Sequence, residues 1–159
     1  MSSITLDLWR WVALALADAD ERMHFHYVHV TSDSIAASDG NRLHWLPNSY
    51  GMAEGAYDRL GRIMPGIDNA PRLGRAIPPL GEETLLSVRL DRKRRWKTRY
   101  MGDVIDYVMV GPSAFQERFM RDAFDQDDEA TGLLANNNRA LRLDFPDGRI
   151  AVVMSILVD

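Results

Sequence analysis

The chain has 159 residues, a hydrophobic content of 46% and a formal net charge of -4 at pH 7. This size and composition are typical of one compact domain, and the acidic balance argues against coating nucleic acid by bulk positive charge. Cysteine is absent, which excludes disulfides, thiolate metal sites and a cysteine nucleophile. The longest apolar run stops at Asp18, and no basic segment precedes it. We therefore expect a cytoplasmic protein with no signal peptide and no membrane partner.

The N-terminal half predicts one helix and then strands. Residues 6–17 are rich in helix formers, and Thr5 or Asp7 is available as the N-cap. Residues 23–31 alternate in a way that predicts a strand, and residues 32–46 predict a hairpin around the turn Ser38-Asp39-Gly40-Asn41. Residues 47–79 hold most of the glycine and proline and predict a long loop or insertion, with one short helix near residues 52–63.

The C-terminal half predicts a second helix among strands. Ser113 is the expected N-cap, and the helix ends near Gln126 after an apolar stripe at helical spacing. The predicted strands are residues 84–90, 96–100, 104–110, 140–145 and 150–158, the first two flanking a turn at 91–94. Helices that come singly between groups of strands favour an α+β fold with antiparallel sheets, built from a duplicated strand-helix-strands unit.

Basic side chains crowd residues 89–99, and Trp96 and Tyr100 stand among them. This mixture could grip phosphates and stack on exposed bases, which makes Arg94, Arg95 and Lys97 candidate DNA contacts. The alternative is a charged hairpin tip with Trp96 packed inward. Five acids follow in residues 122–129, but they lack the spacing and glycine of a calcium loop and predict a solvated helix end.

Three histidines could hold a metal ion. His24 and His26 share one face of the predicted strand, whereas His29 faces the other way and no third ligand stands nearby in the sequence. The alternative is a polar, exposed strand face. The sequence holds no GxSxG elbow, phosphate-binding glycine loop or HExxH motif, so neither an enzyme nor a cofactor is expected.

Two segments resemble the bacterial DNA sliding clamp, the beta subunit of DNA polymerase III. Residues 35–46, IAASDGNRLHWL, resemble the clamp's threonine-aspartate-glycine-histidine-arginine-leucine turn, with Ser38 and Asn41 in place of threonine and histidine. Residues 150–157, IAVVMSIL, resemble its closing strand, where two valines precede methionine-proline-methionine-arginine-leucine. Ser155 and Ile156 replace the proline and the second methionine. Weaker matches lie in the same order at residues 4–17 and 107–124, while residues 47–104 match nothing in the family.

The resemblance implies a DNA-clamp-like single domain over residues 1–159, with two helices packed on antiparallel sheets. One such domain cannot close a ring alone, so clamp function requires self-assembly or a partner, and we expect a homo-oligomer around DNA in replication or repair. A phage or mobile element is the expected source. DNA held topologically is not read by sequence, and the helix arginines Arg10, Arg118 and Arg121 would contact phosphates.

The family also has a pocket where DNA polymerase and other replication or repair proteins insert a short peptide. By resemblance, this pocket would comprise Gly40, Arg42, Leu43, Val153, Met154 and Leu157. Two alternatives stay open beside the encircling clamp. The first is a monomeric clamp-fold adaptor that binds peptides without encircling DNA, and the second is a histidine-metal enzyme.

Overall fold

The computed structural model describes residues 3–18, 23–67, 71–81 and 85–158. Those ranges contain two α-helices, two short 3-10 helices and eleven strands. The helices are α1 (Leu6–Ala13) and α2 (Glu117–Phe124), and the 3-10 helices are Met23–His26 and Leu73–Ala76. The strands are β1 (Val28–Val30), β2 (Ser34–Ser38), β3 (Arg42–Pro47), β4 (Gly55–Tyr57), β5 (Leu86–Arg89), β6 (Trp96–Tyr100), β7 (Asp103–Val110), β8 (Ser113–Gln116), β9 (Glu129–Ala135), β10 (Ala140–Asp144) and β11 (Ile150–Met154).

Eight of these strands form one antiparallel sheet in the order β4-β1-β2-β3-β11-β10-β9-β5. Its two halves come from the two ends of the chain and meet where β3 pairs with β11, with Leu43 opposite Val152. In each half a helix precedes three consecutive strands, so the expected duplication is visible as α1-β1-β2-β3 and α2-β9-β10-β11. The other three strands form a small sheet in the order β6-β7-β8.

Both helices pack on the same face of the large sheet, which we call the inner face. Thr5 caps α1 by accepting a hydrogen bond from the Leu8 amide at 3.2 Å, and four of the eight helical residues are buried. Trp11 is fully buried and donates from Nε1 to the Ala123 carbonyl oxygen of α2 at 2.8 Å. Burial of one such large side chain contributes about 2 to 3 kcal/mol. The two helices are therefore fixed to one another as well as to the sheet.

The structure confirms the α+β class, the start of α1, the hairpin of β2 and β3, and the closing hairpin of β10 and β11. The hairpin of β2 and β3 forms because Asp39 and Gly40 stabilise its turn. The Asp39 carboxylate accepts hydrogen bonds from the Asn41 and Arg42 amides at 2.9 and 3.1 Å, and Gly40 adopts a φ of 93°. A positive φ of this size is readily available only to glycine.

Two predictions in the N-terminal half are wrong. Residues 23–31 do not form one strand, because the chain turns through Met23–His26 on leaving α1 and only β1 is extended. The Ala17 amide donates to the Phe25 carbonyl oxygen at 2.9 Å, which fixes this turn. No helix forms at residues 52–63, where β4 lies instead. Gly55 and Gly61 have φ values of 154° and 83° there, which a helix does not accommodate.

Three predictions in the C-terminal half also need correction. Residues 84–90 and 96–100 do not pair with each other, because β5 joins the large sheet and β6 the small one; Thr84 lies outside the described residues. Ser113 begins β8 rather than α2, since residues 113–116 pair with β7. Glu129 begins β9, although the acids before it predicted a solvated helix end.

None of the helices in the described ranges is long and apolar enough to cross a membrane.

Candidate functional site

The two segments that resemble clamp sequence are neighbours in the large sheet. The Met154 amide donates to the Asn41 carbonyl oxygen at 2.9 Å, where the β2–β3 turn meets the end of β11. Within the turn, the Ser38 hydroxyl donates to the Arg42 carbonyl oxygen at 2.7 Å and accepts from the Gly40 amide at 3.0 Å. These segments are 100 residues or more apart in the sequence, and the pairing of β3 with β11 brings them together.

Alternate side chains of β3 and β11 point away from the helices. Leu43 and Val152 are buried on this outer face, and Trp45 and Ile150 are half-buried beside them. Leu73 and Ile77 pack onto the same cluster from the second 3-10 helix and its C-cap. We call the following six residues the outer groove: Leu43, Trp45, Leu73, Ile77, Ile150 and Val152.

A cavity of about 430 Å³ opens beside Trp45, between the 3-10 helix Leu73–Ala76 and the β1–β2 turn. Gly74 lies against the indole, since a Cβ atom added there would sit 3.4 Å from Trp45 Nε1. The cavity rim carries Arg72 and Arg75, balanced by two acids, Asp33 and Glu54. An aromatic wall and an otherwise polar and charged lining suit a short peptide that combines apolar and polar side chains.

One arginine anchors the 3-10 segment to the sheet. Arg142 of β10 donates from Nη1 to the Pro78 carbonyl oxygen at 2.8 Å, and its Nε atom lies 2.8 Å from the Asp144 carboxylate. Because the guanidinium is held by Asp144, it presents a fixed donor to the backbone at Pro78. Residues 71–78 were predicted only as loop, and neither their role in the groove nor that of Arg142 had a signal in the sequence.

The six predicted pocket residues divide between the two faces of the sheet. Gly40, Leu43 and Met154 lie on or beside the outer face, with Met154 40% exposed, and Leu157 is 92% exposed just beyond β11. Val153 is fully buried in the main core on the inner face. It therefore has no surface in the outer groove.

Arg42 also points to the inner face. Its guanidinium pairs with Asp39 at 3.1 Å and with Asp122 of α2 at 2.7 Å, and it lies 4.4 Å from the centre of the Phe119 ring. These contacts bury all but 6% of the residue. The arginine therefore joins the β2–β3 turn to α2 on the face of the sheet opposite the outer groove.

The three arginines of the helices make only weak contacts. Arg10, Arg118 and Arg121 are exposed. Arg10 forms an ion pair with Asp7 at 3.9 Å, and Arg121 forms one with Glu117 at 3.4 Å. Arg118 lies over the Phe119 ring, 5.1 Å from its centre. Exposed pairs of this kind are weak and leave the arginines able to contact phosphates.

The predicted contacts on the small sheet are partly neutralised. Lys97 lies 2.9 Å from Asp106, and Arg95 lies 3.8 Å from Asp106 and 3.9 Å from Glu117 of α2. The hydrogen bond from Lys97, with its charge, lowers the pKa of the Asp106 carboxyl. Arg94 lies over the Trp96 ring at 5.2 Å, and Trp96 in turn stacks on Tyr107. Trp96 therefore stays at the surface of the hairpin, 39% exposed.

A larger cavity, of about 680 Å³, separates the hairpin of β6 and β7 from the ends of the two helices. Its charged lining comprises five acids and three arginines: Asp18, Asp39, Asp103, Asp106, Glu117, Arg42, Arg118 and Arg121. The excess of carboxylates disfavours a bound phosphate inside the cavity itself.

The histidines do not share a strand face. His24 and His26 lie in the first 3-10 helix, while His29 is buried in β1 and donates from Nε2 to the His24 carbonyl oxygen at 2.8 Å. Burial lowers the pKa of His29. The described part of the chain contains no group of three or more side chains able to hold a metal ion.

Comparison with known proteins identifies the fold. No protein-family model and no curated protein sequence matches the chain. Among solved structures, it is similar to the DNA polymerase sliding clamp of Bacillus subtilis, with a TM-score of 0.65, 12% identity, and coverage of 96% of this chain and 62% of the clamp. The chain has a sliding-clamp-like fold.

Two further clamps give the same result. The beta subunit of DNA polymerase III from Pseudomonas aeruginosa has a TM-score of 0.64 at 12% identity, with coverage of 96% of this chain and 64% of that one. The Thermotoga maritima subunit has a TM-score of 0.60 at 10% identity, with 96% and 62% covered. The chain thus spans less than two thirds of the length of these clamps, and at such low identity the likeness concerns the clamp-like fold alone.

Proposed function

We propose that this protein is a clamp-fold scaffold module that binds short peptides of replication or repair proteins in the outer groove. The observation that carries the proposal is the side-by-side placement of β3 and β11, whose outward side chains combine with Leu73 and Ile77 into one apolar cluster that is partly exposed at Trp45 and Ile150. Sequence resemblance and fold likeness to sliding clamps support the same function.

The chemistry of the groove selects the kind of peptide. Trp45 and Ile150 are half-buried, so part of each remains available to a ligand, and the adjoining cavity is large enough for one or two side chains. Met154 lies at the end of the groove, and its flexible thioether adapts to different partners. A peptide with one aliphatic and one aromatic side chain fits these features. Binding such a peptide requires no catalytic residue.

The test is binding of a fluorescein-labelled hexapeptide containing leucine and phenylalanine, measured by fluorescence anisotropy with the full chain. Trp45→Ala and Met154→Asp should each weaken binding by about tenfold or more, because they remove or charge the apolar surface. Leu60→Asp is the matched control, since Leu60 is exposed on the turn after β4. Equal affinity in all four proteins would reject the outer groove.

Encirclement of DNA by an oligomer is the second candidate. It is favoured by the exposure of Arg10, Arg118 and Arg121 on helices that share the inner face. Light scattering after size-exclusion chromatography, with and without duplex DNA, separates the two functions. A ring-sized mass would support encirclement, whereas a monomer in every condition would leave the peptide-binding adaptor.

A further inference from the structure

The two terminal strands of the large sheet differ in what covers their outer edges. The chain folds back on β4, where the Met64 amide donates to the Ala56 carbonyl oxygen at 2.8 Å and Tyr57 forms a bridge with Ile63. At the opposite end, β5 pairs with β9 from Leu86 to Arg89, and no other described strand pairs with it. Within the described chain, the open edge of the sheet is therefore β5.

A cavity of about 320 Å³ lies between β5 and strand β7 of the small sheet. Its floor is apolar, because Val88, Val108 and Met120 are buried there. Trp96 and Met109 stand at its rim with 39% and 42% of their surfaces exposed. The open backbone edge therefore has an apolar groove beside it, deep enough to receive side chains.

The rim of this groove is basic. Residues 89–95 carry five cationic side chains and one acid, and of these Arg89, Arg94 and the acid, Asp91, line the groove. Arg94 lines the groove and contacts the Trp96 ring, and it makes no ion pair with any described residue. Arg89 is exposed and has Glu129 at 3.4 Å. An anionic ligand would meet in Arg94 a charge that the acids of the described chain leave uncompensated.

We propose that β5 is a docking edge for an extended, acidic peptide segment of a partner protein, which adds to the large sheet as a ninth strand. Backbone hydrogen bonds to β5 would hold the segment, and its alternate apolar side chains would enter the groove. Carboxylates at the end of the segment nearest residues 89–94 would face Arg94, since side chains that alternate with the apolar ones point to the other face of the sheet. This surface is separate from the outer groove, so the inference does not rest on the peptide site proposed above.

Two other occupants fit less well. A second copy that paired through its own β5 would bring Arg89 and no carboxylate along that strand, so the charge of Arg94 would stay uncompensated. Single-stranded nucleic acid would satisfy the charge, but it offers no repeating backbone donors and acceptors to a strand edge. An isolated, acidic peptide strand supplies both the negative charge and the backbone hydrogen bonds, and it needs only about 4.8 Å of width beside β5.

The probe is a fluorescein-labelled octapeptide, three aspartates followed by alternating valine and serine, titrated with the full chain. Binding should be lost when lysine replaces aspartate. An antiparallel partner exchanges hydrogen bonds with its neighbour only at alternate residues. N-methylation of the amides that pair with β5 should therefore abolish binding, whereas N-methylation of the amides between them should leave binding intact. Binding that tolerates N-methylation of both sets would overturn the strand-pairing model.

Protein variants locate the site. Arg94→Glu should weaken binding by about tenfold or more, because it reverses the charge that faces the peptide. Arg99→Glu is the matched control, because Arg99 lies nearby in β6 but does not line the groove. Equal weakening by both variants, competition by a single-stranded oligonucleotide, or a dimeric mass without peptide would each reject the proposed occupant.

Discussion

The imidazole of His44 stacks on the indole of Trp11 with ring centres 4.3 Å apart, and its Nδ1 atom donates to the Trp11 carbonyl oxygen at 2.6 Å. His44 belongs to β3 and Trp11 to α1, so this contact joins the helix to the centre of the large sheet. Burial, together with the nearby charges of Arg42 and Arg149, lowers the pKa of His44 to about 3.

This contact predicts a pH dependence of stability. The folded-state pKa of His44 lies below the unfolded value of about 6.5, so between these values the unfolded chain binds more protons. The contribution to stability is complete above pH 6.5 and is lost as the pH falls, with a slope approaching about 1.4 kcal/mol per pH unit. Urea unfolding of the wild type and His44→Asn between pH 4 and 7 should show a shallower slope for the variant. Parallel curves would contradict the assignment to His44.

Arg42→Gln tests the link between the β2–β3 turn and α2. The substitution leaves Asp39 and Asp122 without their cation, so the free energy of unfolding should fall by about 2 to 3 kcal/mol. Arg10→Gln is the control, because the Arg10–Asp7 pair is exposed and should contribute less than about 0.5 kcal/mol. Similar losses in the two variants, measured by urea unfolding, would refute the structural role of Arg42.

Gly132→Ala tests the packing of β5 on β9. A Cβ atom at Gly132 would lie 2.4 Å from Cγ2 of Val88, so we expect a loss of about 1 to 3 kcal/mol in unfolding free energy. Adding Val88→Ala removes the clashing methyl groups. The double variant should therefore be more stable than the sum of the two single losses predicts, and strict additivity would count against this contact.

Arg142→Met tests whether residues 71–78 form one wall of the outer groove. Loss of the hydrogen bond to Pro78 should free this segment and weaken binding of the leucine-phenylalanine hexapeptide by about threefold to tenfold. Arg139→Met is the control, since Arg139 is exposed and forms no ion pair with the described residues. The prediction fails if both variants bind the hexapeptide as tightly as the wild type.

Local patterns in the sequence predicted much of the fold. Thr5 marks the start of α1, and the turns at Gly40 and Gly148 mark two of the hairpins, because capping and turn formation depend on a few adjacent residues. The partner of β5 could not be predicted in this way. Its pairing with β9, about 40 residues away, depends on packing such as that of Val88 against Gly132.

The candidate site was partly predictable for the same reason. Resemblance to clamp sequence located Leu43 and Met154, but period-2 alternation along β11 places Val153 on the inner face. Residues 71–78 carry no periodic pattern, and their place in the groove depends on Arg142, which lies more than 60 residues further along the chain. The role of any of these residues in binding stays a prediction.

The pairing of β3 with β11 also constrains the order in which the sheet can form during synthesis. The strands of the N-terminal half emerge from the ribosome first, but the free edge of β3 finds its partner only after Met154 has been made. Until then the nascent chain presents an unpaired strand in the middle of what becomes the large sheet, which favours slow folding and mispairing. A chaperone or rapid synthesis of the last third of the chain would shorten this interval.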